Sequence, residues 1–244
     1  MNRRLAAAVA LAVIAAGCGG SSGHTAGGTK APPAITVFAA SSLTDAFTAE
    51  AFAFFQQSRQ KVTFSFAGSQ ALVAQIKQGA PADVVATADT STMAMLPDGA
   101  SAQLFARNRL VIAVPKGNPK HINSLADLAH KGLVVVLAAP SVPAGKYAAQ
   151  ALSAAHVTVH PKSLEENVRG VLTKVQLGEA DAGIVYTTDV QSTKGALAAI
   201  AIPTAPIAAY PILALHSSGS AFVRYLLSPA GQAILHRFGF LSPS

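Results

Sequence analysis

The chain has 244 residues, 51% of them hydrophobic and 12% charged, with a formal net charge of +7. That length can bury one large core or two small ones. The Lys and Arg residues are scattered rather than clustered beside aromatics, which excludes a nucleic-acid footprint, and beyond the N-terminus no apolar run is long enough to span a bilayer.

Residues 1–18 read as an export signal: Arg3 and Arg4, an apolar segment, then Ala15-Ala-Gly-Cys18. Cys18 is the only cysteine in the chain, so it can form no internal disulfide. Its place after small residues resembles a bacterial lipobox, in which Cys18 would be lipidated and become the mature N-terminus. Ala15 stands where that pattern prefers Leu, which leaves ordinary signal-peptidase cleavage as the alternative. Residues 19–33, rich in Gly, Ser, Thr and Pro, make a flexible tether.

Residues 35–38 are β-branched and aromatic, as a strand requires, and two serines then lead into helical spacing at Leu43, Phe47, Ala51, Phe54 and Phe55. Ser41 or Ser42 is placed to cap that helix. A second strand at 61–66 meets Gly68, which permits a tight turn, and Ser69, which can cap a helix bearing Leu72, Val73 and Ile76. A short strand at 83–86 and a cap at Asp89 follow. Strands alternating with helices predict an α/β fold with mostly parallel sheets, and in such sheets ligands sit beyond the carboxyl ends of the strands.

Further along, 109–115 reads as a strand, 121–130 as a short helix, and 133–137 as a central strand apolar on both faces. Pro143 fits the first turn of a helix, leaving the N–H groups of Ala144 and Gly145 free. A strand at 157–160, a polar turn at 163–167, a helix at 168–177 capped by Asn167, and strands at 182–186 and 210–215 complete the pattern. One helix over 221–238 closes the chain.

Four helix N-termini, at Ser42, Ser69, Ala144 and Val168, therefore offer unpaired N–H groups, and two of them carry hydroxyls. Such ends attract anions, because the N–H groups point outward and the macrodipole favours negative charge. Several around one point would cage an oxyanion without Lys or Arg. No catalytic motif competes: Gly-x-Ser-x-Gly, His-Glu-x-x-His and a phosphate-binding Gly-Lys-Ser/Thr loop are all missing from the sequence, and no His lies near the two serines. His156 and His160 would share a strand face but lack a Cys or carboxylate partner set, so they read as exposed edge residues.

The motifs Val37-Phe-Ala-Ala-Ser-Ser-Leu-Thr-Asp-Ala46, Phe66-Ala-Gly-Ser-Gln-Ala-Leu72, Gly79-Ala-Pro-Ala-Asp-Val84, Val142-Pro-Ala-Gly-Lys-Tyr147, Asn167-Val-Arg-Gly170 and Gly183-Ile-Val-Tyr186 resemble, in order, those of the molybdate-binding (ModA) family of ABC-transporter solute-binding proteins. The resemblance implies a type II periplasmic-binding-protein-like fold of two lobes, residues 34–112 with 211–244 and residues 113–210, joined by two crossovers. It implies a monomer with no cofactor and no catalytic residue. The ligand would be molybdate or tungstate, held by Ser42, Ser69, Ala144, Val168 and Tyr186, without direct metal ligands. Ser42 and Ser69 would give hydroxyl and amide hydrogens, Ala144 and Val168 amides, and Tyr186 its phenol. Ser41 stands where the family commonly has Ala, so it is an additional candidate donor. Asn167 replaces a common Asp and caps equally well. Glu165 and Glu166, near the site in sequence, read as surface residues, since a carboxylate beside an anion is costly. The implied partners are a permease with a cytoplasmic ATPase and, through Cys18, a membrane. A sulfate or phosphate binder and an anchored interaction protein are the alternatives.

Overall fold

The computed structural model describes residues 32–243, so the export segment, Cys18 and most of the expected tether lie outside the described residues. Strand β1 (Ile35–Ala40) is buried along its whole length except at Thr36, its one polar residue. After it come α1 (Thr44–Ser58), β2 (Val62–Ala67), α2 (Ser69–Lys77), β3 (Val84–Ala86), α3 (Thr90–Met93) and β4 (Gln103–Asn108). The chain then builds β5 (Leu110–Pro115), β6 (Val135–Ala138), α4 (Pro143–Ala154), β7 (Ser163–Glu165), α5 (Val168–Gln176), β8 (Ala182–Tyr186), α6 (Thr187–Ser192) and β9 (Leu197–Ala201). It ends with β10 (Ala208–Ala214), α7 (Ser220–Leu227) and α8 (Pro229–Arg237).

These strands form two five-stranded sheets, ordered β2-β1-β3-β10-β4 and β7-β6-β8-β5-β9, and each sheet marks one lobe. In the first, β1 runs parallel to β2 and β3, whereas β10 runs antiparallel to β3 and β4. The second repeats the scheme, with β6 parallel to β7 and β8, and β5 antiparallel to β8 and β9. The expected mostly parallel sheets are therefore mixed. β5 and β10 enter their sheets from the other lobe, without the crossover helix that makes neighbouring strands parallel. The changeovers fall at Arg109 and between Ala201 and Ala208, so β5 and β10 each lie whole in one sheet rather than straddling residues 112/113 and 210/211.

Helices α1, α7 and α8 cover one face of the first sheet, where Phe47 packs at 5.6 Å from Phe105 and 6.0 Å from Phe222, ring centre to ring centre. On the other face Leu72 and Val73 of α2 and Met93 of α3 pack with Phe38 and Val85. In the second lobe α4 and α5 pack on β6 and β8.

Three expected elements change. The helix over 121–130 is only a 3-10 turn at Ala126–Ala129, because the Asp127 carboxylate accepts from the N–H groups of Asn123 and Ser124 and folds the segment into a local loop. The strand at 157–160 is irregular, and the pairing with β6 begins beyond Pro161, at 163–165, where a polar turn was expected. Pro161 has no N–H to give a ladder. The closing helix is two, broken at Ser228-Pro229, since a proline cannot donate within a helix but suits the first turn of a new one.

Candidate functional site

The carboxyl ends of β1, β2 and β8 and the N-termini of α2, α4 and α5 meet at the boundary between the lobes. They enclose a small cavity, about 10 Å³ in volume, whose lining includes Ser41, Ser42, Ser69, Ala144, Val168 and Tyr186. Every residue singled out from the sequence as an anion contact, the additional candidate Ser41 included, thus lines one cavity. Each is at most 8% exposed.

Local structure explains why hydrogen-bond donors face inward. Pro143 opens α4, so the N–H groups of Ala144 and Gly145 precede any intrahelical acceptor. Asn167 caps α5 by accepting from the Gly170 N–H at 3.0 Å, which leaves the N–H of Val168 in the uncompensated first turn. In α2 the Ala71 N–H already returns to the Gly68 carbonyl at 3.0 Å, and the Ser69 N–H stands two positions earlier.

The serines do not act as caps. Ser42 lies in a 3-10 turn with no capping bond, and its Oγ pairs with the Tyr210 hydroxyl at 2.9 Å. Ser69 is the first residue of α2, and its Oγ accepts from the Ala88 N–H at 3.1 Å. Tyr210 and Ala88 are the site neighbours that sequence reading missed. The trace of Tyr210 was a hydroxyl inside a buried apolar strand, which demands a partner; Ala88 left no signal at all. Gly68 also has a different reason from the one expected. Its φ of −63° is ordinary, and the constraint is space, because an added Cβ would press on the Glu166 carbonyl of the other lobe.

Tyr186 ends β8, and its backbone is fixed where the Asp189 carboxylate accepts from its N–H at 3.1 Å. Its buried hydroxyl has no partner among the described residues. Burial holds the phenols of Tyr186 and Tyr210 well above their ordinary value, so both keep the proton and can donate.

No Lys or Arg is among the lining residues. The cations that follow Ala144 and Val168 closely in sequence are engaged elsewhere: Lys146 pairs with Asp89 at 2.9 Å, and Arg169 with Asp189 at 2.9 Å and with Asp45. Burial pushes Asp189 up to about 6, against the pull of Arg169. Glu165 is tied to Lys174 at 2.6 Å and Glu166 is exposed, and neither lines the cavity. His156 and His160 are both exposed. The cavity is thus uncharged, lined by hydroxyls and helix N-termini, and suited to an anion small enough to be surrounded by both lobes.

The family profile described as "Bacterial extracellular solute-binding protein" matches residues 35–241. The molybdate-binding protein ModA of Mycobacterium tuberculosis is 38% identical over 246 residues, covering 95% of this chain and 93% of its own. Among solved structures, the sulfate-binding protein SubI of the same organism superposes with a TM-score of 0.78 at 20% identity, over 86% of each chain. The periplasmic molybdate-binding protein of Azotobacter vinelandii gives 0.72 at 19% identity, over 86% of this chain and 100% of its own. These two likenesses speak to the fold. Sequence, fold and cavity agree, and the chain belongs to the bacterial extracellular solute-binding protein family, with ModA proteins among its relatives.

Proposed function

We propose that this protein captures molybdate, and also tungstate, between its lobes and delivers it to an ABC permease driven by a cytoplasmic ATPase. The observation that carries the reading is the convergence of Ser42, Ser69, Ala144, Val168 and Tyr186 on one small cavity without a cation. In this reading the two serine hydroxyls, the Tyr186 phenol and the first-turn amides donate to the four oxygens, with Ser41 alongside. Both lobes supply donors, so binding favours the closed form, with Arg109 and residues 202–207 as the hinge. Lipidation at Cys18 and the 19–33 tether would hold the domain at the outer face of the membrane as a monomer. Sulfate is also a tetrahedral dianion, so selection against it rests on cavity size, with a sulfate or phosphate binder as the alternative.

The test is isothermal titration of the chain lacking residues 1–30 with molybdate, tungstate, sulfate and phosphate at one ionic strength. Molybdate and tungstate should bind one-to-one and far more tightly than the other two. Ser42→Ala and Ser69→Ala should each weaken molybdate by roughly ten- to a hundredfold with the fold retained, at about 1.5–3 kcal/mol per charge-assisted bond. Preference for sulfate or phosphate would move the chain to the alternative, and unchanged affinity in both variants would remove the serines from the site.

A further inference from the structure

We propose that Tyr210 is a positioning residue for this site: its hydroxyl donates to Ser42 Oγ and thereby turns the Ser42 hydrogen toward the bound anion. The inference rests on the oxyanion reading above.

A serine hydroxyl has one hydrogen and two acceptor lone pairs, so beside an anion it helps only when the hydrogen points inward. Ser42 Oγ and the Tyr210 hydroxyl lie 2.9 Å apart and are buried, a geometry that allows either to donate. Chemistry selects the direction. Tyr210 is 0% exposed, and burial keeps its phenol protonated. A buried O–H without an acceptor is costly; the Asn108 side chain, which also stands beside the phenol, already accepts at Oδ1 from the Arg109 N–H and donates from Nδ2 to Thr188, so Ser42 Oγ at 2.9 Å is the acceptor left open to Tyr210. Donation in the reverse sense would turn the Ser42 lone pairs toward the anion.

The second serine shows the same arrangement with a donor that cannot reverse. Ser69 Oγ accepts from the Ala88 N–H at 3.1 Å, which leaves the Ser69 hydrogen for the cavity. Tyr186, whose ring stands edge-on to Tyr210 at 5.7 Å, presents a buried hydroxyl with no other partner among the described residues. Tyr210 itself is not among the lining residues, so its effect on the anion must pass through Ser42.

That dependence supplies the test, a double-mutant cycle read by molybdate titration. Tyr210→Phe should weaken binding roughly three- to tenfold, the size of one neutral hydrogen bond. The same change in a Ser42→Ala background should have no effect. Replacing Tyr210 by 3-fluorotyrosine, which keeps the O–H and makes it a stronger donor, should hold affinity at or above wild type. Equal losses in both backgrounds would make Tyr210 merely structural and overturn the proposal, as would an unaltered Tyr210→Phe variant. Should the Phe variant fail to fold, the fluorotyrosine protein decides, since a fall below wild type would mean that Tyr210 accepts. A wild-type chain that binds no tetrahedral oxyanion would remove the site reading and this inference together, a result distinct from a binder that ignores Tyr210.

Discussion

Glu50 is a fully buried carboxyl in the first lobe. It shares the inward face of α1 with Ala46, Phe47 and Phe54, is 0% exposed, and neither carboxylate oxygen has a hydrogen-bond partner among the described residues. Burial pushes its carboxyl from 4.5 up to about 8. Between those two values the folded protein holds a proton that the unfolded chain has released, so stability falls as pH rises, by about 1.4 kcal/mol per pH unit at most. Below 4.5 the cost is nil, and above about 8 it is complete. Glu50→Gln should therefore raise the melting temperature strongly at pH 8.5 and little at pH 5, with molybdate affinity unaltered, because Glu50 lies outside the cavity lining. Thermal melts at the two pH values check this, and a gain that does not grow with pH would mean the carboxylate is already solvated.

The entry to α2 shows how an element can serve the opposite lobe. Gly68 precedes the helix with an extended backbone that any residue adopts, yet its missing side chain is what lets the Glu166 carbonyl approach. The same carbonyl accepts from Gln70 Nε2 at 2.8 Å. A methyl group here also meets the Gln70 amide of its own lobe, a flexible end that can swing aside, and it props the cleft against the Glu166 carbonyl, which is backbone. Overpacking of this kind costs roughly 1–3 kcal/mol, most of it borne by the closed form. Gly68→Ala should thus weaken molybdate by about five- to a hundredfold while the melting temperature of the ligand-free protein stays near wild type. Full affinity in this variant would show that the lobes have slack at α2.

Across the whole molecule, two charged contacts bridge the cleft on either side of the cavity. Lys146 of α4 reaches Asp89, Ser91 and Thr92 of the first lobe at 2.9, 3.0 and 2.9 Å, and Arg169 of α5 reaches Asp45. The two cations closest in sequence to Ala144 and Val168 therefore join the lobes and do not line the cavity. The Arg169–Asp45 contact is partly exposed, so it is worth about 1 kcal/mol or less and weakens with salt, whereas Asp89 of the other pair is buried. Asp45→Asn should lower molybdate affinity by up to about fivefold and enlarge the ligand-free radius of gyration in solution scattering. Identical scattering and affinity in this variant would assign closure to the hinge and the Lys146 contact. Lys146 and Arg169 are the poorer choices for this test, because removing them strands the buried Asp89 and Asp189.

The parts of this protein that were legible from sequence are those decided by neighbours along the chain. The apolar run of β1, Pro143 at the start of α4, and the caps at Asp89 and Asn167 all follow from backbone sterics and bonds spanning three residues or fewer. The successive motifs likewise contain every lining residue of the cavity except Ala88. What the chain order could not reveal is how their hydroxyls are employed. Ser42 finds its partner 168 residues away in Tyr210, and Ser69 finds its own 19 residues away in Ala88, so serines that read locally as caps pair across the fold instead. β9, an alanine-rich run without a strand signature, exists because β5 offers it a ladder. The mixed sheets, the close approach at Gly68 and the paired cations across the cleft have the same origin. Each depends on which surfaces meet when the lobes pack, and that is settled by long-range hydrogen bonding and sterics rather than by the preferences of any short segment.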